Sequence, residues 1–389
     1  MRIAITTESY YPNVSGVAVF AHYLAKNMAA RGHKVVVICP GSKHRNTIER
    51  GGKNLTIYRL KSLYNPFRKG YRYTLMPQKA VWQILDEFTP DVIHAQDPAA
   101  ISLAASGYAK RHHIRLVITN HFFLDYVTSY IKLPPLLSQM FSKTLARYLA
   151  WFYNRADVIT CPTKTVKSYL KKFGITPPVE AISNGVNLEQ FFPHYGKEQM
   201  RRRYGVPVHT HVVLYTGRLD KDKRVSILVK TIPLILRELD AYFIICGNGK
   251  QKSKLMGQIA ELGLEHDTKI IGFIGHEKEM PRIYQMADVF ATPSPIETQG
   301  IVVLEAMASG LPVVGASAGA LPEAIKHGEN GYLFEPGNID DFARNIIKIL
   351  KNKTLAKRMG ETGLQMVEKH MLSRTYDAFE KIYSDRTSR

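Results

Sequence analysis

The chain has 389 residues, 45% of them hydrophobic and 22% charged, which excludes a disordered or fibrous chain and leaves room for two cores. Its net charge of +20 favours anionic partners and is uneven: residues 1–190 hold 25 Lys and Arg against 10 Asp and Glu, whereas residues 191–389 hold 28 against 23. The start, MRIAITTESYYP, lacks a basic region ahead of a long apolar core, and no run approaches the ~20 apolar residues of a spanning helix, so neither a signal peptide nor a transmembrane segment is expected.

In chain order, the first half carries short β-rich runs, RIAIT, KVVVIC, LTIYRL, DVIHA, RLVIT, DVITC and VEAIS, separated by longer helical patterns. Continuous apolar strands between helices predict a parallel sheet covered on both faces. After about residue 186 the pattern begins again with HVVLYTG, AYFIICG, KIIGFIG, DVFATP, LPVVGA and GYLFEP. Two doubly wound sheets in tandem follow, with a polar, Gly- and Pro-containing hinge, NGVNLEQFFPHYGKEQMRRRYGVP, between them. The expected division is 1–187, 188–370 and a terminal helix over 371–389 that returns to the first domain. Cys39, Cys161 and Cys246 each close an apolar run and have no metal-ligand spacing, so they are expected to pack in cores.

Ligands of open α/β sheets bind at the carboxyl ends of strands, so a cleft between two such domains is the expected site. Four motifs lie just after strands. The first, YYPNVSGVAVF, opens a helix near Gly16, where close backbone approach and free N–H groups suit a phosphate. In the second, TGRLDKDKR, Arg218 and Lys223 suit a diphosphate. The same loop spells D-x-D at Asp220 and Asp222, but Arg218, Lys221, Lys223 and Arg224 crowd it and would repel a metal ion. The third, CGNGKQKSK, has neither P-loop nor dinucleotide spacing, and Gly247 and Gly249 are read as a tight turn. The fourth, SPIETQGIVVLEAMASG, places Thr298, Gln299 and Gly300 at the start of a helix over about 300–309, with Glu297 before it and Glu305 within it.

Together these motifs resemble the family 4 glycosyltransferases, retaining enzymes with two Rossmann-like domains facing a central cleft, the GT-B fold. Glu297 and Glu305 match the family's E-x7-E signature, Arg218 and Lys223 its basic pair, and Gly16 its N-terminal glycine loop; the match covers essentially the whole chain in order. The resemblance implies that Glu297 holds the sugar hydroxyls of a nucleotide-sugar donor, assisted by backbone at Thr298, Gln299, Gly300 and Ile301. It implies that Glu305 accepts from the ribose hydroxyls, and that Arg218 and Lys223 stabilise the diphosphate, with amides of Gly16 and Val17. His121, in RLVITNHFF, matches the family's N-domain histidine and would contact the transferred sugar or the oxygen region at its anomeric centre; no metal and no further cofactor are implied.

ETQG in place of the commoner E-G-F-G, together with NHFFLDYVTSYI, looks like the synthases that glycosylate diacylglycerol. From Met140 to Phe152 the residues Met140, Phe141, Leu145, Tyr148, Leu149 and Phe152 fall on one helical face, with Lys143 and Arg147 opposite. A basic amphipathic helix can lie in a membrane interface, and the basic, aromatic segment NPFRKGYRYT suits headgroups. The expectation is therefore a cytoplasmic enzyme on the inner face of the cell membrane, moving glucose from UDP-glucose to diacylglycerol or a related lipid. GDP-mannose and a phosphatidylinositol, polyprenyl-linked or polysaccharide acceptor form the alternative, since base contacts, expected from backbone near Phe273 to Gly275, do not read out. A nucleic-acid-binding protein would fit the charge alone, but no recognisable binding module is present, so no nucleic-acid partner is expected. A glycoside hydrolase would set two carboxylates across the scissile bond, which Glu297 and Glu305 do not do.

Overall fold

The computed structural model describes residues 1–12, 15–42, 45–64, 72–123, 134–193, 196–275 and 279–385. It divides into two compact units, Met1–Ser183 with Thr375–Arg389, and Asn184–Arg374.

The first unit contains β1 (Arg2–Thr6), α1 (Gly16–Ala30), β2 (Lys34–Pro40), β3 (Thr47–Gly52), β4 (Leu55–Leu60), β5 (Leu63–Tyr64), β6 (Arg72–Tyr73), α2 (Gln78–Phe88), β7 (Val92–Ala95), α3 (Ala100–His112), β8 (Arg115–Thr119), α4 (Pro135–Tyr153), β9 (Val158–Cys161), α5 (Lys164–Lys171) and β10 (Val179–Ala181). Its main sheet has the order β10-β9-β8-β7-β1-β2-β4-β3 and is parallel except at β3. Ile3, Ile5, Val37, Ile93 and Ile118 are fully buried, as a sheet covered on both faces requires. The edge strand β3, TIERGG, is exposed almost throughout and has no apolar pattern, which is why periodicity missed it. The β5–β6 hairpin was missed as well, each strand being two residues long.

The second unit contains α6 (Lys197–Tyr204), β11 (His211–Thr216), α7 (Val225–Leu236), β12 (Ala241–Cys246), α8 (Lys252–Glu261), β13 (Thr268–Ile271), α9 (Met280–Gln285), β14 (Val289–Thr292), α10 (Ile301–Ala308), β15 (Val313–Ala316), α11 (Leu321–Ala324), β16 (Gly331–Phe334), α12 (Ile339–Leu350) and α13 (Lys353–Val367). Its parallel sheet runs β13-β12-β11-β14-β15-β16. The second half of the expected hinge is built into this unit. Arg201 is buried and donates to the carbonyls of Met286, Val208 and Thr210, and its Nη2 lies 2.6 Å from Asp288.

The last helix, α14 (Leu372–Ser384), is tied to the first unit by specific polar contacts. The Tyr383 hydroxyl lies 2.6 Å from His94 Nδ1, and His94 Nε2 lies 2.6 Å from the Thr119 hydroxyl. Arg31 pairs with Asp377 and Glu380. All three cysteines are buried and unbridged. Among the described residues no helix is long and apolar enough to cross a membrane.

In helix α4 the expected apolar stripe is divided rather than uniform. Leu149 and Phe152 are buried in the unit's core, Phe141, Leu145 and Tyr148 are half-buried, and Met140 is exposed together with Leu136 and Leu137. Lys143 and Arg147 are exposed, as the helical wheel predicts. Of the basic aromatic segment, Phe67, Arg68, Lys69 and Tyr71 lie outside the described residues. Arg72 donates to the hydroxyl and carbonyl of Ser62, and Tyr73 is exposed.

The turns after β11 and β12 brace one another. Gly247 adopts φ 153°, and a Cβ there would stand 1.8 Å from the Gly217 carbonyl oxygen. Leu219 N donates to Asn248 O at 2.9 Å, and Gln251 N to Leu219 O at 2.8 Å. The glycines of CGNG thus bring one loop onto the backbone of the other, which carries Arg218. Gly247→Ala is expected to destabilise the second unit by about 3 kcal/mol, read as a lower urea midpoint; an unchanged midpoint would contradict this crossing.

Candidate functional site

In an open α/β sheet the crevice forms where strand order reverses. In the second unit that point lies between β11 and β14, and the loops following those two strands carry Arg218, Lys223 and Glu297. Lys223 Nζ donates to Glu297 Oε1 at 2.6 Å, with both side chains largely shielded from solvent. Arg218 forms ion pairs with Asp220 and Asp222, the latter at 2.8 Å. Both carboxylates of the D-x-D sequence are therefore turned on the guanidinium. Among the described residues no group of three or more His, Cys, Asp or Glu could hold a metal ion.

Helix α10 begins at Ile301, one residue later than the sequence suggests, because Gly300 is the cap residue, at φ 77° with no side-chain cap. Such a left-handed cap leaves the first amides of the helix without side-chain partners from the cap, a setting that favours negative charge. Gln299 is not part of the helix: it is buried, and its Oε1 accepts from Asn184 N at 3.0 Å. The ETQG loop is pinned from the side by Ala320, whose N–H donates to Glu297 O at 2.8 Å.

Glu305 has different company from Glu297. It is buried on α10 and accepts from the Tyr284 hydroxyl at 2.7 Å. The same hydroxyl lies 2.7 Å from Thr216 Oγ1, at the end of β11. Burial, with the Glu305 charge second, pushes the Tyr284 phenol well above its ordinary range, so the phenol donates rather than ionises. Tyr284 was not anticipated; in sequence it is one aromatic residue on a short helix.

In the first unit the strand order reverses between β1 and β7. Gly16 is the first residue of α1, capped by the Ser15 hydroxyl, which accepts from Ala18 N at 3.2 Å. A Cβ on Gly16 would meet no atom within 4 Å, and Val17 is half-exposed. Beside this helix end stands a pair of carboxyls that the sequence reading did not single out. Glu8, after β1, accepts from Ile101 N at 3.2 Å and from the Thr74 hydroxyl at 3.1 Å. Asp97, after β7, accepts from Glu8 N at 2.6 Å and the Thr7 hydroxyl at 2.9 Å. Burial and then the Asp97 charge push Glu8 up to about 8, and burial raises Asp97 too, so the pair retains a proton at neutral pH. Their place immediately after adjacent strands was the available signal.

His121 follows β8. Its Nε2 lies 2.9 Å from Gln96 Oε1, and its ring meets Phe20 edge-on with centroids 5.2 Å apart. Desolvation pushes it down to about 3, so the imidazole is neutral across the physiological range. Arg218, Lys223, Glu297, Thr298, Gln299, Gly300, Ile301 and Glu305 thus belong to the second unit, and Gly16, Val17 and His121 to the first.

Two family models match, "Glycosyltransferase Family 4" over residues 14–190 and "Glycosyl transferases group 1" over residues 196–366. A protein of Methanocaldococcus jannaschii described as an uncharacterized glycosyltransferase is 30% identical over 359 residues, covering 90% of each chain. The alpha-monoglucosyldiacylglycerol synthase of Acholeplasma laidlawii is 26% identical over 364 residues, 90% of this chain and 89% of that one. Among solved structures, Anabaena HepE in complex with UDP-glucose superposes with a TM-score of 0.77 at 21% identity, covering 98% of this chain and 99% of the other.

The Glu8 geometry gives a pH-dependent stability. Its folded pKa is raised, so its contribution is present at low pH and is lost as pH climbs from the ordinary carboxyl value of 4.5 through about 8. Wild type should therefore lose melting temperature relative to Glu8→Gln between pH 5 and pH 9. Parallel pH profiles for the two proteins would mean that Glu8 is already ionised at pH 5.

Proposed function

We propose, on the premise that the chain belongs to the GT-B glycosyltransferases and is a hexosyltransferase, that it transfers glucose from UDP-glucose to diacylglycerol or a closely related membrane lipid with retention at the anomeric carbon. The observation that carries the donor half is the Lys223–Glu297 pair beside Arg218 at the second unit's strand-order reversal. A nucleotide sugar supplies an anion for the two cations and hydroxyls for the carboxylate, and so satisfies both partners when they separate.

In this reading Arg218 and Lys223 take the diphosphate and stabilise the charge that develops on it as the glycosidic bond to phosphate breaks. Glu297 accepts from hexose hydroxyls, and the backbone of Thr298, Gln299, Gly300 and Ile301 assists at the helix start. Glu305, oriented by Tyr284, accepts from the ribose hydroxyls. Gly16 and Val17 add amides from the start of α1, where the open space at Gly16 allows backbone approach. His121 contacts the transferred hexose. The acceptor oxygen bonds to the anomeric carbon on the face the diphosphate leaves, and the acceptor's proton passes to a departing phosphate oxygen. Glucoside and UDP are the products, and no metal or further cofactor is required.

The lipid half draws support from the first unit's surface. Leu136, Leu137 and Met140 at the start of α4 are exposed, as are Tyr64, Leu75 and Met76 on and after the β5–β6 hairpin. Exposed apolar side chains on the more basic half of the chain suit an anionic membrane surface, and the likeness to a monoglucosyldiacylglycerol synthase agrees. Peripheral attachment at the inner face of the cell membrane follows.

Product mass spectrometry with mixed nucleotide sugars and lipid extract tests the reading: glucosyl-diacylglycerol is expected, formed faster on vesicles containing anionic lipid. Transfer from GDP-mannose, or equal activity on soluble sugars with indifference to vesicles, would overturn the corresponding half. Glu297→Ala and Arg218→Ala should each lower kcat about 100-fold or more, whereas Glu305→Ala should mainly weaken donor binding. Unchanged donor affinity in Glu305→Ala would remove the ribose assignment.

A further inference from the structure

The amino ends of β8 and β9 frame a cavity of about 540 Å³, at the opposite end of the first unit's parallel strands from Glu8, Asp97 and His121. Helix α3 supplies Lys110 to its lining, β8 supplies Leu116, and the end of α4 with the turn into β9 supplies Trp151, Arg155 and Asp157. Trp151 is 50% exposed although the next residue, Phe152, is fully buried, so its ring stands at the cavity wall and not in the core. The Arg155 guanidinium lies over this ring, 5.0 Å from its centroid, and is oriented by a 3.0 Å hydrogen bond from Nε to the buried Ser106 hydroxyl. Among the described residues, neither its terminal nitrogens nor the Nζ of exposed Lys110 has a hydrogen-bond or ion-pair partner. Asp157 is the one carboxylate among the described lining residues; its Oδ2 accepts from Leu116 N at 2.7 Å, which leaves Oδ1 for a hydroxyl.

We infer that this cavity is a second ligand site, for a nucleoside monophosphate. Its flat base lies against Trp151, its phosphate takes the free donors of Arg155 and Lys110, and its ribose hydroxyls donate to Asp157. Core stability asks for none of this: two cations without counter-charges and an exposed aromatic ring around one recess favour the folded state less than a closed apolar surface would. A recess of this volume also selects by shape. A bilayer or a nucleic-acid duplex presents its phosphates on a surface too broad to enter, whereas a mononucleotide fits within. The site shares no residue with the groups assigned above to donor or acceptor, so it stands apart from the proposed reaction.

The chain has two tryptophans, Trp82 and Trp151, so Trp82→Phe leaves Trp151 as the sole reporter. In that protein AMP should quench tryptophan emission saturably with a Kd below about 1 mM, and inorganic phosphate should compete. Calorimetric titration of wild type with AMP makes the same measurement with Trp82 in place. Adenosine, which lacks the phosphate, should bind at least about tenfold more weakly. Lys110→Glu and Arg155→Gln should each weaken AMP about tenfold or more, the former with an unchanged melting temperature because Lys110 is exposed. Lys223→Ala, in the other unit, should leave AMP binding as in wild type. Absence of saturable binding to wild type up to about 10 mM AMP overturns the inference. So does an affinity unchanged in both Lys110→Glu and Arg155→Gln, or lost in Lys223→Ala, which would place AMP in the second unit's site. Anionic vesicles or single-stranded DNA that bind through Lys110 while AMP does not would mark a polyanion surface and overturn it as well.

Discussion

The ion pair between Lys223 and Glu297 is the interaction on which the second unit's site depends. The two residues are 74 positions apart, on loops that follow neighbouring strands, and each is too shielded to be left alone without a desolvation cost. Their mutual neutralisation sets the resting arrangement, and Arg218 is held likewise by Asp220 and Asp222. A ligand can displace these contacts only by offering comparable ones, an anion to the cations and hydroxyls to the carboxylate. That requirement is stricter than positive charge alone, and it favours a nucleotide sugar over a simple polyanion.

Each unit reverses its strand order between two adjacent parallel strands, yet the chemistry at the two reversals differs. The second unit gathers cations, a glycine-capped helix start and a buried glutamate oriented by a tyrosine. The first gathers Glu8 and Asp97, both pushed up by burial, with a neutral imidazole on the next strand end. The first unit's reversal therefore carries carboxyls and an imidazole where the second unit's carries cations. One fold repeated in a chain can thus carry different chemistry at its two reversals, decided by a few residues after the strands.

Much of this architecture was legible because parallel strands buried on both faces write themselves as continuous apolar runs; RIAIT, KVVVIC and AYFIIC fall on β1, β2 and β12. The exposed edge strand TIERGG and the two-residue strands of the hairpin carry no such signal. The motif residues stand out in the sequence because they sit immediately after strands with unusual chemistry. Tyr284 does not, because its significance lies in partners distant in sequence, Thr216 and Glu305. The start of α10 shifted by one residue because Gly300 takes a left-handed conformation as cap, and Gln299 turned inward toward Asn184. The amphipathic stripe on α4 was correctly periodic, but periodicity does not say how far along a helix the core extends.

Calorimetric titration of UDP into wild type, Lys223→Ala and Glu297→Ala tests most directly whether donor diphosphate takes Lys223 from its carboxylate. UDP affinity should fall about 10- to 100-fold in Lys223→Ala and should hold or rise in Glu297→Ala, where the lysine has lost its competitor. Equal affinity in wild type and Lys223→Ala, or a loss of UDP binding in Glu297→Ala as large as in Lys223→Ala, would contradict the exchange.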